Sequence, residues 1–126
     1  MSRITSALLA NTFLIGALAF SHCAIAEQPQ LDCSTGPLTK TYGGTSWLVY
    51  ACSDNSSLVM LASPGSPASP FYFMLTPQNG TRRLIGEGTG KKSATDSAYT
   101  DLANLSEEEI SQLIASAKKI ALPKPQ

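Results

Sequence analysis

The sequence predicts a small α+β domain with one disulfide, in which an antiparallel four-stranded meander precedes two C-terminal helices. Three observations predict it. Short apolar runs alternate with turn-forming residues through the middle of the chain, helical periodicity replaces them in the last third, and two cysteines flank the first apolar run of the mature chain. Short connections between consecutive strands favour a meander over a parallel sheet, which would need long crossovers.

Residues 1–26 predict a signal peptide that the working protein lacks. Arg3 provides a positive start, residues 7–20 are almost entirely apolar, and a small-x-small pattern ends at Ala26. The apolar stretch is shorter than the roughly 20 residues that a membrane span needs. We therefore expect a periplasmic or secreted protein with no stable membrane span after cleavage.

The mature chain, residues 27–126, is expected to form one domain with an ordered core over about 31–121. Cleavage removes the only histidine, His22, so neither a Ser-His-Asp triad nor a histidine-bound zinc is expected. It also removes Arg3, leaving eight basic and nine acidic side chains, a balance that disfavours a nucleic-acid partner. No cofactor is predicted.

Cys33 and Cys52 predict a structural disulfide, because an exported chain meets an oxidising compartment. Their spacing differs from the Cys-x-x-Cys of redox proteins, and no histidine is left to complete a metal site. Closing a loop of about 20 residues stabilises a domain by roughly 3 kcal/mol in the chain-entropy model.

Four apolar runs predict the strands, and they cover residues 47–52, 58–62, 71–75 and 82–85. The first and third are rich in aromatic residues, which favour strands. Asn79-Gly80 predicts a tight hairpin turn between the last two runs, because both residues tolerate positive φ. Before the first run, residues 36–46 look loop-like, with only a short extended piece at 38–42.

The segment between the second and third strands, residues 63–70, contains three prolines. Pro64, Pro67 and Pro70 each fix φ and lack a backbone donor, so the segment can be neither a central strand nor a helix. We expect a stiff connector, with a presented loop that a partner recognises as the alternative.

The last third of the chain predicts two helices. Ser93 followed by Asp96 marks the start of the first helix. Ser106 and Glu109 form a capping box at the start of the second, and Pro123 ends it. The apolar stripe of the second helix consists of Ile110, Leu113, Ile114 and Ala117.

Period-two counting gives the sheet two apolar faces, because Trp47 and Val49 share one side of their strand and Leu48 and Tyr50 the other. A small antiparallel sheet normally keeps one face wet. The helix pair can cover one face. The other is closed either by loops and the segment that the disulfide draws in, or by a partner, a ligand or a second copy of the chain.

These features predict a non-catalytic exported module that binds a protein or a ligand, its partner being another envelope protein or a second copy. Aromatic residues dominate interface energetics and the prolines present a stiff loop. The candidate contact residues are Trp47, Tyr50, Pro64, Pro67, Pro70, Tyr72 and Phe73. Core packing is the alternative for the aromatics.

Two other functions stay open at this point. A structural envelope protein would self-associate through the second sheet face. A hydrolase without a recognisable motif would use Asp96, Tyr99 and Asp101, the nearest approach to a polar constellation in the chain.

A glycine-rich run at 86–90, followed by Lys91 and Lys92, suggests phosphate binding but lacks the Walker spacing. We expect a flexible strand-to-helix connection there. Arg82 and Arg83 should point to opposite sides of their strand, which favours a solvated edge over a basic patch for an anionic partner.

Overall fold

The computed structural model describes Gly16 and residues 30–121. Over residues 30–121 it shows one antiparallel sheet in chain order, with both helices packed on the same face. The elements are β1 Thr35–Tyr42, β2 Thr45–Ala51, β3 Leu58–Ala62, β4 Phe71–Gln78, β5 Thr81–Gly88, α1 Lys92–Ala103 and α2 Glu107–Ala121. The predicted α+β class is confirmed. The predicted signal peptide, apart from Gly16, lies outside the described residues.

In the described part of the chain the sheet has five strands, one more than predicted, and the additional strand is β1. Its composition looks loop-like because it contains Gly36 and Pro37. These two residues lie where the pairing with β2 shifts register. Gly43-Gly44 then forms a tight turn, with φ values of 59° and 77° that suit a two-residue hairpin. Only Tyr42 of β1 is buried, so apolar periodicity gives no indication of this strand.

The remaining strands follow the predicted runs and extend three of them. β2 begins at Thr45, two residues before its predicted run, and ends at Ala51, one residue short of it. β3 has the predicted bounds, whereas β4 and β5 continue as a paired hairpin up to Gln78 and Thr81. The predicted turn is confirmed, since Asn79 and Gly80 have φ values of 47° and 79°. Pairing to the turn carries strand structure into residues whose own composition is polar.

The helix layer confirms one predicted start and corrects the other. The Ser106 N–H donates to Glu109 Oε2 at 2.7 Å and the Glu109 N–H donates to Ser106 Oγ at 3.1 Å, which completes the capping box. Helix α1 begins at Lys92, and Ser93 lies inside its first turn without capping it. The Lys91 N–H donates to the Pro67 carbonyl at 2.9 Å, and this bond fixes where the chain enters α1.

The core lies between the sheet and the helices. Trp47 is fully buried, its ring centroid lies 5.2 Å from that of Phe73, and its indole N–H lies 3.1 Å from the Tyr42 carbonyl. The four predicted stripe residues of α2 are buried against this layer. The covered face of the sheet consists of Trp47, Val49, Ala51, Leu58, Met60, Ala62, Phe73 and Leu75, all buried.

The predicted disulfide between Cys33 and Cys52 is present, with a sequence separation of 19. Beside it, the Ser53 N–H donates to the Asp32 carbonyl at 2.6 Å, and the Asp32 N–H donates to Ser53 Oγ at 3.1 Å. These bonds hold the N-terminal segment beside Ser53, beyond the end of β2, and not across the sheet. The disulfide is consistent with an oxidising, extracellular compartment.

The proline-rich segment is an ordered connector, with neither strand nor helix in it. The Ser63 N–H donates to the Ser46 carbonyl at 3.1 Å, and Ala68 is fully buried. Gly90 packs directly on this segment, since a Cβ there would lie 1.7 Å from the Ala68 carbonyl oxygen. The loop is therefore clamped to the β5–α1 connection by close backbone contact.

Candidate functional site

The second face of the sheet consists of two rows of apolar side chains that cross the strands. One row aligns Leu48, Leu61 and Tyr72, ending at Glu87, and the other aligns Tyr50, Val59, Met74 and Ile85. Directly opposed residues on one face of a sheet have Cβ atoms about 5 Å apart, so each row is continuous. We call these seven apolar residues the open face.

The open face is exposed where the structure describes the chain. Leu61, Tyr72 and Ile85 are 42%, 37% and 36% exposed, and the other four members are half-buried. Both helices pack on the opposite side of the sheet, and the N-terminal segment runs beside Ser53. Among residues 30–121, the loops and the N-terminal segment, which the sequence offered as a cover, leave this face exposed at Leu61, Tyr72 and Ile85.

Tyr72 has a defined orientation at one edge of the open face. Its hydroxyl donates to Glu87 Oε2 at 3.0 Å, across the β4–β5 pair. The hydrogen bond to the Glu87 carboxylate and the charge of that group raise the pKa of Tyr72 above 10.0. The phenol therefore keeps its proton at neutral pH and presents a ring with a fixed polar tip.

A shallow depression of about 340 Å³ lies where the open face meets the proline-rich connector. Its lining includes Leu61 and Tyr72 from the open face, Pro70 from the connector and Glu87 from β5. This lining is mostly apolar with one carboxylate at its rim. Of the three prolines predicted to contact a partner, Pro70 lines this depression.

The structure divides the four predicted aromatic contacts between the two faces. Tyr50 and Tyr72 lie on the open face and remain candidates for contact with a partner. Trp47 and Phe73 are 0% and 2% exposed beneath the helices, so they are core residues that a partner cannot reach. Period-two alternation separated Trp47 from Tyr50 and Phe73 from Tyr72 within their strands, but it did not say which side of each strand the helices would cover.

The three predicted proline contacts are all exposed, but they do not form one site. Pro70 lines the depression beside Tyr72. Pro64 and Pro67 lie earlier in the connector, outside the lining of the depression. Of the three prolines, Pro70 is therefore the one placed to contact a partner on the open face.

Sequence reasoning named only Tyr50 and Tyr72 as contacts on this surface and missed six residues, namely Leu48, Val59, Leu61, Met74, Ile85 and the adjacent Glu87. The alternation within β3 was a usable indication for Val59 and Leu61. The alignment of Leu61 beside Tyr72, and of Tyr72 beside Glu87, depends on strand register, which a single sequence does not fix.

The polar residues considered for a hydrolase have separate partners. Asp96 pairs with Lys92 at 2.6 Å in solvent, whereas the Asp101 carboxylate accepts the Gly43 N–H at 2.6 Å. Tyr99 is 47% exposed, with its ring centroid 6.2 Å from that of Phe73. In this arrangement Asp101 ties α1 to the β1–β2 turn and Asp96 stabilises the first turns of α1.

A second cleft, of about 320 Å³, lies between β1 and α2 and is lined by Lys40, Tyr42 and Glu109 among others. Burial, with the nearby charges of Glu109 and Asp101, raises the pKa of Tyr42 to about 12. A phenol with such a pKa stays protonated at neutral pH and cannot serve there as a general base.

The glycine-rich run and the arginine pair have structural explanations. Gly86 lies against the rings of Phe71 and Phe73, where a Cβ would approach to 2.7 Å. Arg82 extends to the covered side and donates to the Glu107 carboxylate at 2.7 Å and 2.8 Å. Arg83 lies on the side of the open face. The two arginines therefore lie on opposite sides of β5, as the alternation predicted, and form no single patch.

Within residues 30–121, no group of three or more His, Cys, Asp or Glu side chains is placed to hold a metal ion. None of the helices described in that range combines the length and apolar character needed to cross a membrane. No protein-family model, curated protein or solved structure matches the chain. The fold and the site thus define a class only: a small disulfide-linked α+β domain with one open, apolar sheet face.

Proposed function

We propose that the protein is an exported, non-catalytic binding module of the periplasm or the extracellular space, and that it holds a partner protein on its open face. The observation that carries this proposal is the open face itself. Folding requires one buried sheet face, and the helices already provide it. Seven apolar residues on the other face cost solubility, and a contiguous apolar surface of this kind is typical of an interaction site.

The shape of the open face favours a protein over a small molecule. Small ligands are usually enclosed by concave pockets, whereas this face is a sheet surface with one shallow depression at its edge. Its centre is apolar, and among residues 30–121 the charged side chains on this side of the sheet, Arg83 and Glu87, stand at its rim. An apolar centre with a polar rim is the usual anatomy of a protein–protein interface.

Two tyrosines give the face its expected contact energy. Tyr50 and Tyr72 combine a large ring with a hydroxyl that can remain hydrated, which is why tyrosine is enriched at binding hot spots. The ordered connector places Pro70 beside Tyr72 as a rigid rim. A preformed rim reduces the conformational entropy that binding would otherwise cost.

Site-specific photo-crosslinking in producing cells tests the proposal. A photoreactive phenylalanine analogue replaces Leu61, at the middle of the open face, and in a matched control it replaces Ile120, which is 52% exposed on α2. We expect a covalent adduct with another protein from position 61 and none from position 120. Adding Tyr72→Glu should lower the adduct yield by about tenfold or more, because it removes one contact aromatic.

Two results would overturn the binding proposal. One is equal labelling from positions 61 and 120, which would make the open face no more engaged than an ordinary surface. The other is an adduct at position 61 that contains only a second copy of the chain, because the face would then be an interface between copies.

Export is tested separately by the intact mass of the protein recovered from cells. We expect a chain that begins at Glu27 and whose two remaining thiols react with an alkylating reagent only after reduction. Recovered protein that begins at Met1, or thiols at Cys33 and Cys52 that react without reductant, would contradict the proposed export.

A further inference from the structure

We propose that the protein pairs with a second copy of itself through β5, the free edge of its sheet, in an antiparallel arrangement about a twofold axis at Ile85. This pairing goes beyond the proposed function and can fail without it. It uses backbone groups at the edge of the sheet and leaves the open face uncovered, so a partner protein could still bind there.

The two edges of the described sheet differ in their capacity to pair. β1 carries Pro37 and a register irregularity, and it packs closely against α2. β5 pairs with β4 in unbroken register over eight residues, from Thr81 to Gly88, and no further strand within residues 30–121 lies beyond it. An irregular strand with a proline resists further pairing, whereas a long regular edge is a template for it.

The hairpin turn fixes which backbone groups of β5 face outward. A two-residue turn of the Asn79-Gly80 type is closed by a hydrogen-bonded pair, here Gln78 and Thr81. Bonded pairs then alternate along the hairpin, so the odd-numbered residues of β5 bond to β4. At the far end the Thr89 N–H donates to the Pro70 carbonyl at 2.9 Å, which agrees with this parity. The N–H and C=O groups of Leu84 and Gly86 therefore face the free edge.

The side chains of β5 select one register for a second copy. With the axis at Ile85, Arg83 stands opposite Glu87 of the second copy, and the symmetry repeats that pair. Leu84 stands opposite Gly86 of the second copy in the same way, which gives four backbone hydrogen bonds at the centre. An axis at Leu84 or at Gly86 would instead place Arg83 or Glu87 opposite the second copy's isoleucine.

The charges fit this arrangement, although Glu87 also accepts a hydrogen bond from the Tyr72 hydroxyl through Oε2. Arg83 is exposed and makes no ion pair among the described residues, whereas its neighbour Arg82 is held by Glu107 on the other side of the sheet. Opposite charges placed across two strands stabilise pairing, and like charges oppose it. A strand that reads positive, apolar, negative on one face is self-complementary only when it runs antiparallel to its copy.

Sedimentation equilibrium of the exported protein tests the pairing with charge reversal. We expect a dimer, and we expect Arg83→Glu or Glu87→Arg alone to weaken it by about tenfold, because each places like charges opposite each other at both symmetric positions. The double variant R83E/E87R should restore the affinity. An equimolar mixture of the two single variants should also restore it, as a heterodimer, because every opposed pair is then of opposite sign.

Hydrogen exchange provides a readout that identifies the edge. The amides of Leu84 and Gly86 should exchange more slowly as protein concentration rises, whereas those of Arg83 and Ile85, already bonded to β4, should be slow at every concentration. A protein that stays monomeric at high concentration would overturn the proposal. So would a dimer that is insensitive to both charge reversals, or one in which the Leu84 and Gly86 amides still exchange fast.

Discussion

The two faces of the sheet are built from similar side chains but have different surroundings. Phe73 and Tyr72 are consecutive in β4, yet Phe73 is 2% exposed under the helices and Tyr72 is 37% exposed on the open face. Burial against α1 and α2 explains why the covered face is apolar. Within residues 30–121 no such cover lies on the open face, and the proposed partner would supply one.

The largest expected effect compares these two neighbours directly. Phe73→Ala should destabilise the domain by about 3–5 kcal/mol, because it opens a cavity beside Trp47 and Phe71. Tyr72→Ala should cost far less, since it removes a side chain that is already in contact with water. Urea unfolding followed by Trp47 fluorescence measures both, because both variants keep that tryptophan.

Comparable losses of stability in the two variants would remove the distinction between the faces. They would mean that Tyr72 contributes to the fold as Phe73 does, and that the open face is needed for folding. A binding role of this face would then depend on the result of the photo-crosslinking experiment.

Local patterns in the sequence predicted three features of the fold correctly. The bounds of β3, the Asn79-Gly80 turn and the capping box of α2 all depend on residues close together in the chain, so a single sequence contains them. Tyr50 and Tyr72 could also be named as candidate contacts, because their aromatic character is visible without knowledge of the fold.

What the sequence could not provide depends on contacts between distant segments. β1 is a strand because β2 pairs with it, although Gly36-Pro37 and its threonines give little indication of one. The choice of Trp47 and Phe73 as core depended on which face α1 and α2 would cover. Glu87 could join the site only after register had placed it beside Tyr72.

A smaller effect tests how the cover of the core is held in place. Ser106→Ala should destabilise the domain by about 1 kcal/mol, because the Glu109 N–H at the start of α2 loses its acceptor. Ser111→Ala, an exposed position within the same helix, is the matched control and should change little. The comparison uses thermal unfolding of both variants, and equal effects would show that the cap contributes nothing beyond helix propensity.

The smallest effect compares two adjacent arginines on opposite faces. The Arg82 guanidinium binds the Glu107 carboxylate at 2.7 Å and also the Ser56 carbonyl, so it links β5 to α2 on the covered side. Arg82→Gln should therefore lower stability at neutral pH, by less than the loss of the helix cap, since exposed ion pairs contribute little. Arg83→Gln should leave the unfolding free energy unchanged when measured at a concentration where the chain is monomeric.

The pH dependence of this difference identifies the ion pair as its cause. The hydrogen bond from Arg82, together with its charge, lowers the pKa of Glu107 below 4.5. A carboxyl whose pKa is lower in the folded state stabilises the fold above its unfolded pKa, and that stabilisation is lost as the pH falls through the folded value. The gap between the wild-type protein and Arg82→Gln should therefore be constant above pH 4.5 and narrow below it. A gap that is the same at neutral pH and at about pH 3 would instead assign the effect of Arg82 to its packing and to its bond with the Ser56 carbonyl, neither of which titrates in that range.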